Sequence, residues 1–156
     1  MTAGPLVKAM LTTTEIGGAT INFQFNPTSL KFARTVHWDD TEVINAAGFP
    51  KVAYSRRDAG TLSLSGLIFD TYEYANPTSV LTLIAPIVKA TEIATSLERP
   101  PVYVFAWGSL MENANFSYFR CVVTSIDYEL TMFLPNGTPV RATVNMSLKE
   151  VDKNDL

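Results

Sequence analysis

Residues 140–150 alternate well between apolar and polar side chains. The apolar positions are Val140, Ala142, Val144, Met146 and Leu148, and the polar positions between them are Arg141, Thr143, Asn145, Ser147 and Lys149. Successive side chains of a β-strand point to opposite faces, so this pattern predicts a strand with one face on a core. Asn136-Gly137, just before it, is a strong signal for a tight hairpin turn. The sequence therefore predicts a β-hairpin over residues 127–150.

Several other segments show the composition or the period of strands. Residues 6–12 and 19–25 flank Gly17-Gly18 and predict a first hairpin. Further strands are predicted over residues 29–38, 61–69, 102–107 and 115–125, and residues 127–133 continue or follow the last of these. Gly66 lies where one alternation slips, which indicates a β-bulge. About eight short strands predict a mainly β fold, either an antiparallel sandwich or a small closed barrel.

One segment has the period of a helix. Asn76-Pro77 is a favourable N-cap followed by a favourable first helical residue. The apolar residues after it lie at helical spacing and predict one amphipathic helix that flanks the sheet; they are Val80, Leu81, Ile84, Ile87 and Val88. Pro86 is expected to kink or divide this helix.

Residues 39–58 have no sustained period, and we predict a long loop or an extended arm there. Structureless segments of this length are uncommon in compact domains and are usually functional. Phe49, Tyr54, Arg56 and Arg57 combine aromatic side chains with cations, a composition enriched at protein interfaces. These four residues are candidates for an interface between subunits.

Composition excludes several classes of protein. The chain has 156 residues, of which 47% are hydrophobic and 17% charged, so wholesale disorder is excluded and one domain over residues 1–150 is expected, with a frayed end at residues 151–156. A net charge of −3 leaves no basic footprint for nucleic acid. No apolar stretch is long enough for a membrane span, and the N-terminus lacks a secretory signal, so synthesis and assembly in the cytoplasm are expected.

The residues needed for catalysis or for metal binding are sparse. His37 is the only histidine and Cys121 the only cysteine, and no Gly-x-Ser-x-Gly motif is present. His37 is predicted to be a solvated residue near the end of a strand, on the same face as Asp39, and Cys121 to be a buried, inert thiol. The acidic cluster around Asp39 lacks the spacing of a calcium loop. We expect no enzymatic activity, no cofactor and no metal.

Four stretches taken together resemble a known family. They are FQFNPTSL at residues 23–30, LSGLIFDTYE at 64–73, RPPVYVFAWGS at 99–109 and TMFLPNGTPVRATVNMSLKE at 131–150. Their order and spacing resemble the tube-like domain of baseplate proteins from phage-tail-like contractile injection systems. In long members this domain precedes a LysM module, and no LysM-like segment is present here. The resemblance implies a tail-tube fold: a small β-barrel of two packed antiparallel sheets with one flanking helix.

The resemblance also implies a structural role in a phage-tail-like particle, extracellular or membrane-anchored. The protein would form a hexameric ring between inner tube and spike at the baseplate, as a tube initiator or hub adaptor. Its partners would be further copies of itself, the inner-tube protein, the spike protein and other baseplate proteins. Residues 61–69 and 127–150, with Arg141, Thr143, Asn145 and Ser147, are candidates for the strands between subunits or along the lumen, and residues 39–58 for contacts with the next ring.

A second reading of the same strands is a monomeric β-barrel that binds a small molecule. An eight-stranded barrel has room for one small ligand. Such a site needs a few convergent polar groups on the inner face. The inward residues predicted for 140–148 are all apolar, which favours a filled core. The oligomeric state separates the two readings.

Overall fold

A seven-stranded antiparallel sheet organises most of the chain. The structure, a computed structural model, describes residues 5–108, 119–152 and 154–155. The elements in chain order are β1 (Met10–Thr12), β2 (Ile21–Asn22), β3 (Leu30–Ala33), β4 (Val36–Ile44), β5 (Pro50–Arg57), β6 (Thr61–Asp70), α1 (Leu81–Lys89), β7 (Tyr103–Ala106), β8 (Phe119–Phe133) and β9 (Pro139–Glu150).

The strands of the large sheet follow the order β2-β1-β7-β8-β9-β6-β3, and β4 and β5 form a separate two-stranded sheet. The predicted fold class is confirmed: the protein is mainly β and antiparallel, with one helix in the part of the chain that the structure describes. The large sheet is not a closed barrel, because β2 and β3 form its two edges and no described pairing joins them. The fold is of the β-sandwich type.

The alternating segment forms β9, the strand between β8 and β6. All five predicted inward residues, from Val140 to Leu148, are at most 2% exposed. Four of them, from Ala142 to Leu148, pack with buried side chains of neighbouring elements, among them Leu62, Leu64, Leu67, Phe69, Ile84, Ile87, Phe119 and Cys121. Burial of each large aliphatic side chain contributes about 1.5–3 kcal/mol. The interior is therefore a filled apolar core.

Two predicted local features are confirmed. Gly66 has a φ of +69° and lies at a register shift between Leu64 and Leu67, so it forms the predicted bulge between β6 and β9. Gly137 has a φ of +87°, and its N–H donates to the Leu134 carbonyl at 2.9 Å in the turn between β8 and β9. Both positions need a conformation that glycine adopts without strain.

The helix begins later than the sequence predicted. Its first residue is Leu81, and Val80 rather than Asn76 is the N-cap. The Val80 N–H donates to the Pro139 carbonyl at 2.8 Å, so contact with β9 fixes the start. Val80, Ile84 and Ile87 are buried as predicted, whereas Leu81 is 41% exposed. Pro86 lies inside the helix and does not divide it.

The structure corrects one predicted strand and decides between two alternatives for another. The strand predicted over residues 29–38 is two strands, β3 and β4, which belong to different sheets. Residues 127–133, predicted to continue or follow the strand at 115–125, continue it as part of β8, whose pairing with β9 contains register shifts. Residues 115–118 of the strand predicted over 115–125 lie outside the described residues.

The largest correction concerns residues 39–58, predicted as a long loop or extended arm without regular structure. Most of this segment belongs to the antiparallel pair β4 and β5. All eight residues of β5 are exposed. Because neither face of this pair is covered by the core, selection for alternating burial is absent and the period of two does not appear in the sequence.

Candidate assembly surfaces

Strands β4 and β5 form a hairpin that is a sheet of its own. The pairing runs from Val36 opposite Arg57 to Ile44 opposite Pro50, with two register irregularities. In β4 only His37 and Thr41 are half-buried, and the other residues are exposed. A two-stranded hairpin is marginally stable alone in water. A surface of this kind gains stability when a partner covers it.

The hairpin exposes an unusual amount of apolar side chain. Seven large apolar residues are between 44% and 67% exposed; they are Val36, Trp38, Val43, Ile44, Phe49, Val52 and Tyr54. Trp38 and Tyr54 pack edge to face, with ring centroids 5.8 Å apart. Isolated exposed apolar residues are ordinary, but a group of this size on one element indicates an interaction surface.

The tip of the hairpin is held by Asn45. Its side-chain oxygen accepts hydrogen bonds from the N–H groups of Ala47 at 2.9 Å and Phe49 at 3.1 Å. The Asn45 N–H also donates to the Phe49 carbonyl at 2.8 Å, and Gly48 has a φ of +85°. These bonds fix the turn and present Phe49, which is 67% exposed.

The base of the hairpin carries a small charged cluster. His37 Nε2 lies 2.8 Å from Asp58 Oδ2, and Arg56 Nε lies 3.4 Å from Asp58 Oδ1. The hydrogen bond from His37 is the main reason why the pKa of Asp58 lies below the ordinary aspartate value. The Asp58 N–H donates to the Thr35 carbonyl at 2.9 Å. The cluster thus joins the two chain segments that connect the hairpin to the large sheet.

This cluster gives His37 a partner that the sequence did not suggest. We predicted a solvated histidine near a strand end, on the same face as Asp39; His37 is the second residue of β4, and its side chain pairs with Asp58, 21 residues away in the chain. The His37 and Asp58 side chains are 34% and 46% exposed. The pair fastens the base of the hairpin.

The four interface candidates of the predicted arm lie on the hairpin. Phe49 is at the end of the turn, and Tyr54, Arg56 and Arg57 lie on β5. Tyr54 is 59% exposed and Phe49 67% exposed. Arg56 points to Asp58, whereas Arg57 is exposed and lines two open clefts at the base of the hairpin. Phe49, Tyr54 and Arg57 are therefore accessible, and Arg56 is part of the base cluster.

The four candidates on β9 share the face opposite the core and are half-buried. Arg141 Nε donates to Asp70 Oδ2 at 2.7 Å. The Asn145 amide donates to Asp127 Oδ1 at 2.8 Å and accepts from the Gly66 N–H at 2.9 Å. The other two candidates have short side chains with a hydroxyl group. Thr143 lies opposite Glu129 and Ile68, and Ser147 lies opposite Ser125 and Ser63.

Two edges of the sheet have no partner strand among the described residues, and the sequence did not reveal them. Strand β7 pairs only with residues Phe119 to Cys121 of β8, so residues 122–133 have no described strand on that side. On the opposite side of the sheet, β3 pairs with β6 only from Thr61 to Leu64. Unpaired strand edges are templates for pairing with another chain. The sequence does not show that β7 is the neighbour of β8, so it could not indicate this edge.

Comparison with protein families decides where the chain belongs. The family described as contractile injection system tube protein matches residues 7–156. That span contains the large sheet, the helix and the hairpin. The chain belongs to this family. A search among curated proteins gives no match.

Family membership confirms the resemblance to contractile injection systems. This tube protein is a structural component of such a system. A tube component assembles with other tube or baseplate proteins, so exposed assembly surfaces are expected of it. No helix in the described ranges is long and apolar enough to cross a membrane.

The clefts of the tube protein lie beside the hairpin and outside the core. One cleft of about 580 Å³ is lined by Arg57, Asp58, Lys149 and small residues, and a second of about 930 Å³ shares the segment 57–59 with the first. Among the described residues, no three His, Cys, Asp or Glu side chains are grouped to hold a metal ion. Cys121 is buried as predicted, and burial raises the pKa of its thiol to about 12.

Proposed function

We propose that this tube protein forms a hexameric ring at the baseplate, between the inner tube and the spike, where it acts as a tube initiator or hub adaptor without catalysing a reaction. The observation that carries the proposal is the exposed hairpin, whose seven large apolar side chains have no cover in the described chain. Patches of this kind mark sites of association. Family membership supports association with tube and baseplate proteins.

The open sheet edges support closure of a ring. A head-to-tail contact uses two different surfaces of each subunit, and a ring results when the rotation closes. The free edge of β8, at residues 122–133, and the free edge at β3 and the end of β6 lie on opposite sides of one sheet. Pairing of the first edge with the second edge of a neighbour satisfies both sets of backbone groups.

In this ring, the outward face of β9 lines the lumen. Thr143 and Ser147 offer hydroxyl groups, and Arg141 and Asn145 are fixed by Asp70, Asp127 and Gly66. On this face of β9 the side chains from residue 141 to 147 are all polar, which suits a water-filled passage. The apolar face of β9 is occupied by the core, so it offers no room for a small ligand.

The first test is the mass of the purified protein by light scattering, alone and mixed with the inner-tube protein or the spike protein. A sixfold mass in any of the three samples is expected. A monomer mass in all three would overturn the proposal.

A single substitution distinguishes an effect on the stacking of rings from an effect on the folding of the monomer. Arg57→Glu reverses an exposed charge on the hairpin, whereas a change of Arg56 would also disturb Asp58. We expect Arg57→Glu to leave the circular dichroism spectrum of the monomer unchanged and to prevent stacking of rings. Lys89→Glu, an exposed change at the end of α1, is the matched control. Equal stacking by both variants would argue against hairpin contacts between rings.

A further inference from the structure

Two side-chain amides hold the segment that follows β2. Asn26 Oδ1 accepts a hydrogen bond from the Ala9 N–H at 2.8 Å, and Asn26 Nδ2 donates to the Val7 carbonyl at 2.9 Å. Gln24 Nε2 donates to the Asp70 carbonyl at 2.7 Å, and Gln24 Oε1 accepts from the Asp70 N–H, also at 2.7 Å. Each amide therefore bonds to a backbone N–H and to a backbone carbonyl at once, as the backbone of a neighbouring strand does.

The two amides bond to opposite ends of the strand order. The backbone partners of Asn26 precede β1, the strand beside β2, and Asp70 ends β6, the strand beside β3. Where β3 joins β6, Leu30 lies opposite Leu64. Gln24 precedes Leu30 by six residues, and Asp70 follows Leu64 by six residues. Gln24 therefore takes the place of a backbone partner in a longer β3, and the segment of residues 23–26 joins the two ends of the large sheet through side chains.

The bonds at Asp70 limit the second edge of the sheet, which is formed by β3 and the end of β6. On this side β3 covers residues 61–64 of β6, and residues 65–69 have no described strand. The Asp70 N–H is already bonded to Gln24, so it has no proton left for a strand of another chain. The Asp70 carboxylate is fixed as well, because it accepts from Arg141 Nε and from the Tyr72 N–H, each at 2.7 Å. The part of this edge that a neighbour can pair with therefore ends before Asp70.

We propose that Gln24 and Asn26 form a side-chain clasp that closes the large sheet and sets the register in which the next subunit of the ring pairs with the second edge. The strand of the neighbour stops before Asp70, because the backbone groups there are taken. Register fixes the rotation between subunits, and the rotation decides whether a head-to-tail contact closes into a ring or continues as an open filament. This inference rests on the proposed function, since it assumes that the second edge lies between subunits of one ring.

Hydrogen exchange of the full chain tests the clasp itself. Gln24→Met and Asn26→Leu keep side chains of similar size and remove their hydrogen bonds. We expect exchange to become about tenfold faster at the Asp70 amide in Gln24→Met and at the Ala9 amide in Asn26→Leu, while exchange in β9 stays as it was. Asn22→Ser, an exposed change on β2, is the control and should alter neither amide. Unchanged exchange at both amides in the clasp variants would overturn the inference.

Assembly of the same variants tests the control of register. Where the native chain has the sixfold mass, the double variant Gln24→Met/Asn26→Leu is expected to lose most of it and to form open assemblies of mixed mass, seen by light scattering and electron microscopy. Gln24→Glu is a milder variant, which keeps an acceptor for the Asp70 N–H and loses the donor to the Asp70 carbonyl, and we expect a smaller loss.

A matched control separates this effect from a loss of stability. Glu15→Gln removes the ion pair with Arg99, away from the clasp, and should keep the sixfold mass. Clasp variants that keep the sixfold mass as Glu15→Gln does would overturn this inference and leave the proposed ring intact. A native chain that stays monomeric with the inner-tube and spike proteins would overturn both.

Discussion

Strands β9 and β5 are both regular antiparallel strands, and they differ in what covers them. Alternate residues of β9 are buried from Val140 to Leu148, whereas every residue of β5 is exposed. Yet the hairpin that contains β5 is rich in large apolar side chains. The large sheet and α1, which we call the body, depend on contacts within the chain. The composition of the hairpin suits contacts that the chain alone does not supply.

The first prediction tests this difference with one substitution at two places. Phe69 is 2% exposed on β6, and Phe49 is 67% exposed on the hairpin. Phe69→Ala is expected to lower the free energy of unfolding by about 3–5 kcal/mol, because it leaves a cavity in the core. Phe49→Ala is expected to change it by no more than about 0.5 kcal/mol and to reduce assembly. Urea unfolding and light scattering measure the two effects; similar losses of stability in both variants would contradict the comparison.

The second prediction concerns an ion pair that belongs to the body alone. Arg99 donates to both carboxylate oxygens of Glu15, at 2.9 and 3.0 Å, and the Val102 N–H donates to Glu15 Oε2 at 2.7 Å. Glu15→Gln is expected to lower the free energy of unfolding by about 1–3 kcal/mol. Glu92→Gln, an exposed change without a described ion pair, is the control.

The same pair gives the body a dependence on pH. The hydrogen bonds from Arg99 hold the pKa of Glu15 below the ordinary glutamate value. The contribution of Glu15 to the free energy of unfolding is therefore fully present above about pH 4.5 and is lost as the pH falls through the lower pKa of the folded state. The difference in stability between the native chain and Glu15→Gln should shrink over this range. A constant difference down to pH 2 would show that the charge of Glu15 is not responsible.

The body was largely predictable from the sequence. Burial on one face of β9 leaves a period of two, and Gly66 and Gly137 mark positions where the backbone needs a positive φ. The hairpin was not predictable as a regular element, because exposed strands have no such period. The start of α1 was missed because the Val80–Pro139 hydrogen bond joins residues 59 positions apart.

The candidate site was predictable in composition and not in contacts. Phe49, Tyr54 and Arg57 are exposed on the hairpin, as an interface requires. The partners of Arg141 and His37 were not foreseen, since Asp70 and Asp58 are distant in the chain. The open edge of β8 was missed for a similar reason: it exists because β7 is shorter, and a sequence does not show which strands are neighbours.

The third prediction compares two glycines in equivalent conformations. Gly66 in the body has a φ of +69° and Gly48 at the hairpin tip a φ of +85°, and an added Cβ would contact nothing within 4 Å at either position. An alanine therefore brings backbone strain alone, about 1–2 kcal/mol. Gly66→Ala should lower the global free energy of unfolding by this amount.

Gly48→Ala should leave the global value unchanged if the hairpin opens independently of the body, since the strain then acts on a local equilibrium. Hydrogen exchange of the β4 and β5 amides should become faster in this variant, while exchange in β9 stays as it was. A loss of global stability equal to that of Gly66→Ala would show that hairpin and body unfold as one unit.

The smallest expected effect is at the base of the hairpin. The hydrogen bond from His37 lowers the pKa of Asp58. The contribution of this carboxylate to stability is therefore present above pH 3.8, the ordinary aspartate pKa, and is lost as the pH falls through the lower pKa of the folded state. The Asp58 side chain is 46% exposed, so solvent and salt weaken the interaction. We expect the indole NMR signal of Trp38, next to His37 in β4, to shift in this acid range while that of Trp107 on the body does not. Asp58→Asn should abolish the shift and Asp39→Asn, an exposed change on the same strand, should retain it. A shift that survives in Asp58→Asn would mean that the hairpin responds to acid through another group and that its base is not fastened by this cluster.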